Sequence, residues 1–275
     1  GWLDWSTPRI LSGDGEFVLF EEGNEAAADG YAIYLRKTDG SPPQRLAFGS
    51  ILALAPDGSR VAILTSLFQG TPRIDLVPIG AGQTETVDFG DLRPPGEQGT
   101  WLPDRGPGRP ESLVLASRRE DEPLRLYLIP LDGSGPPEPL TPVDLPLAPA
   151  GHLVNADGTG ILAKPAEGPA VRIDAASGRV APAPGLDDDD LPLRWAEGGR
   201  YVFVQAERTV PSPIYRIDLE SGERKLWTDL APPDPAGIFK VDRVQLSADG
   251  MFQIYSNRRS LSNLIILEGL VDQAR

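Results

Sequence analysis

His152 is the only histidine in the 275 residues, and there is no cysteine. A Ser-His-Asp triad or a histidine-rich metal centre would have to use it. A multi-histidine zinc site cannot be assembled, and no thiolate is available to replace the missing ligands. Its position, five residues before Asp157 at the start of an expected strand, suits a polar rim histidine. Asp187-Asp188-Asp189-Asp190 is the densest charge run. Carboxylates are what a hard cation takes as ligands, but consecutive aspartates splay apart instead of wrapping one centre, so a solvated acidic loop is expected. Arg9, Arg194 and Arg243 also fall near strand starts, where they could form an anion-attracting ring. Trp2, Trp5, Trp101, Trp195 and Trp227 could offer a ligand platform, although Trp101 and Trp195 recur at a position better explained by packing. No Gly-X-Ser-X-Gly elbow precedes a helix, and no glycine-rich loop runs into Lys and Ser/Thr. No catalytic residue, cofactor ligand or metal ligand is therefore assigned. Arg9, His152, Arg194 and Arg243 are the binding candidates.

The elements that must position them are read from Ile51–Leu64, where two apolar runs flank Pro56-Asp57-Gly58-Ser59. Asp-Gly between β-prone runs is a hairpin signal, because the tight turn needs a positive φ that glycine adopts without a Cβ clash. The signal recurs at Asp14-Gly15, Asp157-Gly158 and Asp249-Gly250, with degenerate copies at Gly198-Gly199 and Asp104. Three residues before each turn stands Leu11, Leu54, Trp101, Val154, Trp195 or Leu246, all apolar, as a core-facing strand position requires. A second turn follows each first one, as at Asp39-Gly40, Asp132-Gly133, Ser177-Gly178 and Ser221-Gly222. The unit is strand, turn, strand, loop, strand, turn, strand. Its period, roughly from the low forties to the low fifties, is that of a four-stranded propeller blade. With 30 Gly and 29 Pro, helical repeats of that length cannot be sustained.

The expected fold is an all-β, six-bladed propeller of four-stranded antiparallel blades in a single domain, residues 1–275. The blades span about 7–47, 50–89, 100–140, 147–182, 191–227 and 241–267. Blade four is the weakest in sequence, and the middle loop of blade one, Glu21–Gly30, is acidic and alanine-rich. Blade six shows only three clear strands. Trp2–Trp5 is surplus to blade one and is expected to pair beside Leu264–Leu267, so that the N-terminal strand closes the ring and removes its exposed edges. The competing outcome is that Leu270–Ala274 folds back as that strand.

Asp plus Glu number 40 against 26 Lys plus Arg, a net charge of −14. A body this acidic is a poor partner for nucleic acid, whose affinity comes from phosphate neutralisation, and for an anionic membrane surface. No run approaches the roughly 20 apolar residues of a membrane span, so no direct membrane insertion by this chain is expected. The chain begins Gly1-Trp2-Leu3, and its one methionine is Met251. It reads as a piece excised from a longer polypeptide or as a processed form.

The repeat, with Ala55–Gly58, Ser247–Gly250 and strands such as Ala32-Ile33-Tyr34-Leu35, resembles the TolB-type WD-like propeller repeat. Several segments resemble the C-terminal propeller of bacterial eukaryotic-like serine/threonine kinases. These are Trp2-Leu3-Asp4-Trp5-Ser6, Tyr34–Pro42, Pro192-Leu193-Arg194-Trp195, Pro232–Gly237 and Arg259–Leu264. The resemblance implies an upstream kinase domain and membrane span, and an extracytoplasmic or periplasmic sensor or docking role for this part. No kinase residue is carried over, since the chain holds none of the kinase motifs. The chain itself is expected to be a non-catalytic, monomeric module without a cofactor, binding a protein or small-molecule ligand. The alternative is a propeller hydrolase or the non-catalytic propeller of a peptidase, because such enzymes draw acids, amides or histidines from several inner strands to one tunnel mouth. The aligned inner positions here hold no carboxylate.

Overall fold

Among the described residues each hairpin signal folds as a hairpin. A computed structural model describes residues 6–23, 31–65, 71–93, 99–104, 106, 110–142, 145–155, 157–206 and 208–260. In the first sheet β1 (Ser6–Leu11), β2 (Phe17–Glu22), β3 (Ala32–Lys37) and β4 (Gln44–Phe48) pair antiparallel in chain order. The same meander builds the second sheet from β5 (Ser50–Leu54), β6 (Arg60–Thr65), β7 (Arg73–Pro78) and β8 (Glu85–Val87). The third sheet contains β9 (Gly99–Leu102), β10 (Ser112–Ser117), β11 (Arg125–Pro130) and β12 (Glu138–Pro139). The fourth contains β13 (Leu147–Val154), β14 (Gly160–Pro165), β15 (Val171–Asp174) and β16 (Val180–Pro182), complete despite its weak sequence signal. The fifth contains β17 (Leu191–Ala196), β18 (Tyr201–Gln205), β19 (Ser212–Asp218) and β20 (Arg224–Leu230). Strands β21 (Ile238–Leu246) and β22 (Gln253–Arg259) form a two-stranded sixth sheet. The expected partners of that sheet, Leu264–Leu267 and Trp2–Trp5, lie outside the described residues.

The first strands of successive sheets pack side by side. β1 lies against β5, β5 against β9, β9 against β13, β13 against β17, and β17 against β21. β21 and β22 then meet β1. The apolar core follows this circuit as seams between neighbouring sheets. Leu19, Ile33, Ile51 and Ile63 fill the seam of sheets one and two, and Leu52, Leu64, Leu113 and Leu115 that of sheets two and three. In the last seam Ile254 of β22 packs on Leu11, Val18, Phe20 and Tyr34 of the first sheet. A sheet in this arrangement buries its faces only against its neighbours, and the chain is an all-β propeller of small antiparallel sheets.

The turns show why Asp-Gly-Ser recurs. Gly58 takes φ 72°. The Asp57 carboxylate accepts from the Ser59 N–H at 2.9 Å and from its hydroxyl at 2.7 Å, while Asp157 does the same with Thr159. Such side chain–backbone bonds mimic a turn and favour it. The same bonds hold the Asp57 and Asp157 carboxyls below the usual carboxylate range. The inner strands also share a defect. Pairing shifts at Arg9 in β1, at Leu52 in β5 and at Leu193 in β17, each five residues before the turn position. A bulge of this kind increases local twist and re-aims a side chain.

Two loop expectations are corrected here. Glu21 and Glu22 belong to β2, not to the acidic loop, and both are buried. Asp190, the last of the four aspartates, is buried as well. Both corrections have the same physical reason, a hydrogen-bonding partner supplied by a distant strand or a neighbouring sheet.

Candidate functional site

Arg9 lies buried on β1, not at an open rim. Its guanidinium stands 3.0 Å from Glu21 Oε1 on β2 and donates to Ser50 Oγ, 3.1 Å away on β5. The same Glu21 oxygen accepts from the Ser50 hydroxyl at 3.0 Å and from the Ile51 N–H at 2.6 Å. Burial pushes the Glu21 carboxyl up, while Arg9 and the Ile51 N–H pull it down, and burial wins. The cluster ties sheet one to the start of the inner strand of sheet two. Glu21 escaped the sequence reading, although the strand length of the other blades places it inside β2.

His152 is a correction of the rim expectation. It is buried on β13, beside Ala116, Leu126, Leu147 and Ala163, with Nε2 3.3 Å from the Val114 carbonyl oxygen of β10. Desolvation pushes its imidazole down to about 4, against a small opposing effect of that carbonyl. It is neutral at pH 7 and spans the seam between sheets three and four.

Arg194 is half-buried on β17. Its Nη1 donates to the Leu246 carbonyl at 2.9 Å, and its Nη2 reaches the first turn, 3.3 Å from where a Cβ on Gly13 would sit. Burial lowers its pKa, with Asp249 acting the other way. Arg243 is exposed and carries the one positive φ of a non-glycine among the described residues, 55°, in the bulge of β21. The structure thus distributes the four candidates. Arg9 and His152 serve two different seams, Arg194 bridges sheets five and six, and Arg243 faces solvent.

The acidic run is anchored from its end. Arg224 of β20 grips Asp190 with Nη1 at 2.6 Å and Nη2 at 3.2 Å, and the Asp187 N–H donates to Asp190 at 2.7 Å. Of the tryptophans, Trp101 is buried and donates to Glu111 at 2.7 Å. Trp195 donates to the Leu153 carbonyl across a seam, and Trp227 packs edge-on to Phe203. All three act as packing groups with a satisfied N–H. A groove of about 510 Å³ lies between Arg125 and Leu128 of β11 with Thr141 beyond β12, and Ala175 and Ser177 in the turn between β15 and β16. Among the described residues no group of three or more His, Cys, Asp or Glu is placed to hold a metal ion. No helix among them is long and apolar enough to cross a membrane.

No protein-family model matches the chain, and no curated protein sequence matches it. Solved structures do. A TolB-type protein from Agrobacterium tumefaciens superposes with a TM-score of 0.61 at 18% identity, over 94% of this chain and 90% of that one. TolB from Acinetobacter baumannii gives 0.56 at 17% identity, over 82% of this chain. The match spans 55% of that TolB, about half its length. The chain has a TolB-like β-propeller fold. An oligogalacturonate lyase solved with manganese shares the propeller at a TM-score of 0.55 and 16% identity, over 88% of this chain and 68% of the lyase. At these identities the propeller architecture is what is common.

Proposed function

We propose that this propeller is a non-catalytic, monomeric module that binds a protein or small-molecule ligand. Its setting would be the extracytoplasmic part of a bacterial signalling protein such as a serine/threonine kinase, with a closed ring of six blades. The observation that carries the reading is how the inner-strand polar residues are used. Arg9 is neutralised by Glu21, His152 is buried and neutral, and Arg194 is held by a main-chain carbonyl. A catalytic site needs an acid, a base and a nucleophile or metal converging on one open position, and these residues instead join blades. The kinase association rests on the sequence resemblance. Of the four binding candidates, Arg243 is the exposed one within this reading.

The second reading, a propeller hydrolase or lyase, is favoured by the shared propeller of oligogalacturonate lyase. Two measurements separate them. Incubation of the purified chain with oligogalacturonate and manganese is expected to give no unsaturated product by ultraviolet absorbance. Calorimetry with calcium and manganese is expected to show no tight site. Turnover, or a tight metal site, would overturn the binding-module reading. The open reading frame upstream of Gly1 tests the signalling assignment: a kinase domain followed by a membrane span supports it, and a peptidase domain refutes it.

A further inference from the structure

On blade six three cations converge on one carboxylate. Asp242 of β21 has a side chain only 12% exposed. Lys240 Nζ lies 3.1 Å from it, Arg258 Nε 3.3 Å, and Arg208 Nη1 3.8 Å. These come from three segments: β21, β22 and the connection between β18 and β19. No other carboxylate pairs with any of the three among the described residues. Lys240 and Arg258 are moreover direct partners across the β21–β22 ladder. Like charges at that position repel and destabilise a sheet, and a single carboxylate leaves the group with two net positive charges on a chain of net charge −14. Sequence reading missed it because the four residues span 208–258: β21 pairing with β22 brings Lys240, Asp242 and Arg258 together, and the Val241 N–H, donating to the Arg208 carbonyl, brings in the β18–β19 connection.

The surroundings fit a ligand site. Arg258 and Arg208 remain 67% and 51% exposed at the side chain, so the cluster opens to solvent. β21 is bulged on both sides of Lys240–Asp242. The first bulge presents Phe239, 60% exposed, and the second contains Arg243 in its left-handed conformation. Bulges that re-aim side chains gather beside functional sites, and backbone strain of this kind persists where the surroundings hold it in place.

We propose that Arg208, Lys240 and Arg258 form a binding site for a dianion of the phosphate class, with Asp242 positioning the cations in its absence. Two guanidinium groups match oxyanion geometry, and the ammonium adds a point charge. The exposed Phe239 ring gives an ester substituent a surface to pack on. This deepens the binding-module reading by naming a ligand class, and it fails separately. Absent phosphate binding removes this site alone, whereas turnover or tight metal binding removes the module reading.

The test is calorimetric titration of the whole chain at pH 7.5 and low salt with inorganic phosphate and, separately, phenyl phosphate. Saturable one-to-one binding is expected, weakened at least tenfold in an Arg208→Gln/Arg258→Gln double variant. Both side chains are exposed, so the fold should survive, and circular dichroism checks that it does. Arg93→Gln, removing an exposed arginine paired with Glu120 elsewhere, is expected to bind like the parent. Tighter binding of phenyl phosphate that is lost in Phe239→Ala assigns the site to a phosphomonoester. Equal binding of the two assigns it to the free anion, and either supports the site. No saturable binding, or undiminished binding by the double variant, overturns the proposal.

Discussion

Replacing His152 by Gln should change how stability depends on pH. The folded imidazole titrates at about 4 against 6.5 for the unpaired group, because burial disfavours its charged form. The folded state therefore binds fewer protons than the unfolded chain between those values. The contribution is fully present above pH 6.5 and is lost as pH falls towards 4. At 1.36 kcal/mol per pK unit the full loss is about 3 kcal/mol, of which about 2 kcal/mol falls between pH 7 and pH 5. Carboxylates also titrate at the low end, so the quantity to measure is a difference. Urea unfolding followed by tryptophan fluorescence, for parent and His152→Gln at pH 7, 6 and 5, gives it. The glutamine amide can still donate to the Val114 carbonyl, so the seam keeps its hydrogen bond. The parent should lose about 2 kcal/mol more than the variant over this range. Parallel pH profiles, or a native imidazole titrating near 6.5 by NMR, would refute the buried-histidine reasoning.

Glu21→Ala should strand the buried Arg9 charge and cost about 3–5 kcal/mol, with Arg9→Met/Glu21→Leu recovering much of it; chemical denaturation of both variants checks this. Gly185→Ala should destabilise by about 2 kcal/mol or more in thermal melts, because a left-handed φ alone costs about 1–2 kcal/mol. There the φ is 79° and the new Cβ would meet the Gly222 carbonyl oxygen at 2.5 Å, a backbone atom that cannot swing aside. Deleting residues 1–5 tests the ring closure expected from the sequence. A melting temperature lowered by several degrees supports it, and an unchanged melt refutes it.

The repeat was readable because its signals are local. A positive φ at Gly58 and an Asp57 carboxylate two residues from the N–H it accepts depend on four consecutive residues. The turn pattern therefore predicted the hairpins, and the apolar residue three before each turn predicted a core face. Leu11, Leu54, Trp101, Val154, Trp195 and Leu246 all lie in or directly against the seams. What the turn pattern misjudged was the polar residues. Glu21 reads as the first residue of an acidic loop, Asp190 as one of four solvated aspartates, and His152 as a rim residue. Charge and local context favour water for each of them.

The chain by itself therefore determined the strand–turn repeat, the all-β class and the propeller architecture, since each rests on alternation and turn chemistry within a few residues. The tertiary structure decided which polar residues are sealed and which stay open. Glu21 is buried because Arg9, Ser50 and Ile51 satisfy it, Asp190 because Arg224 does, and His152 because the Val114 carbonyl lies across its seam. Most of these partners are some thirty to forty residues away. A polar side chain enters a seam only when the facing strand completes its hydrogen bonds, and which residue faces it is set by packing one blade against the next.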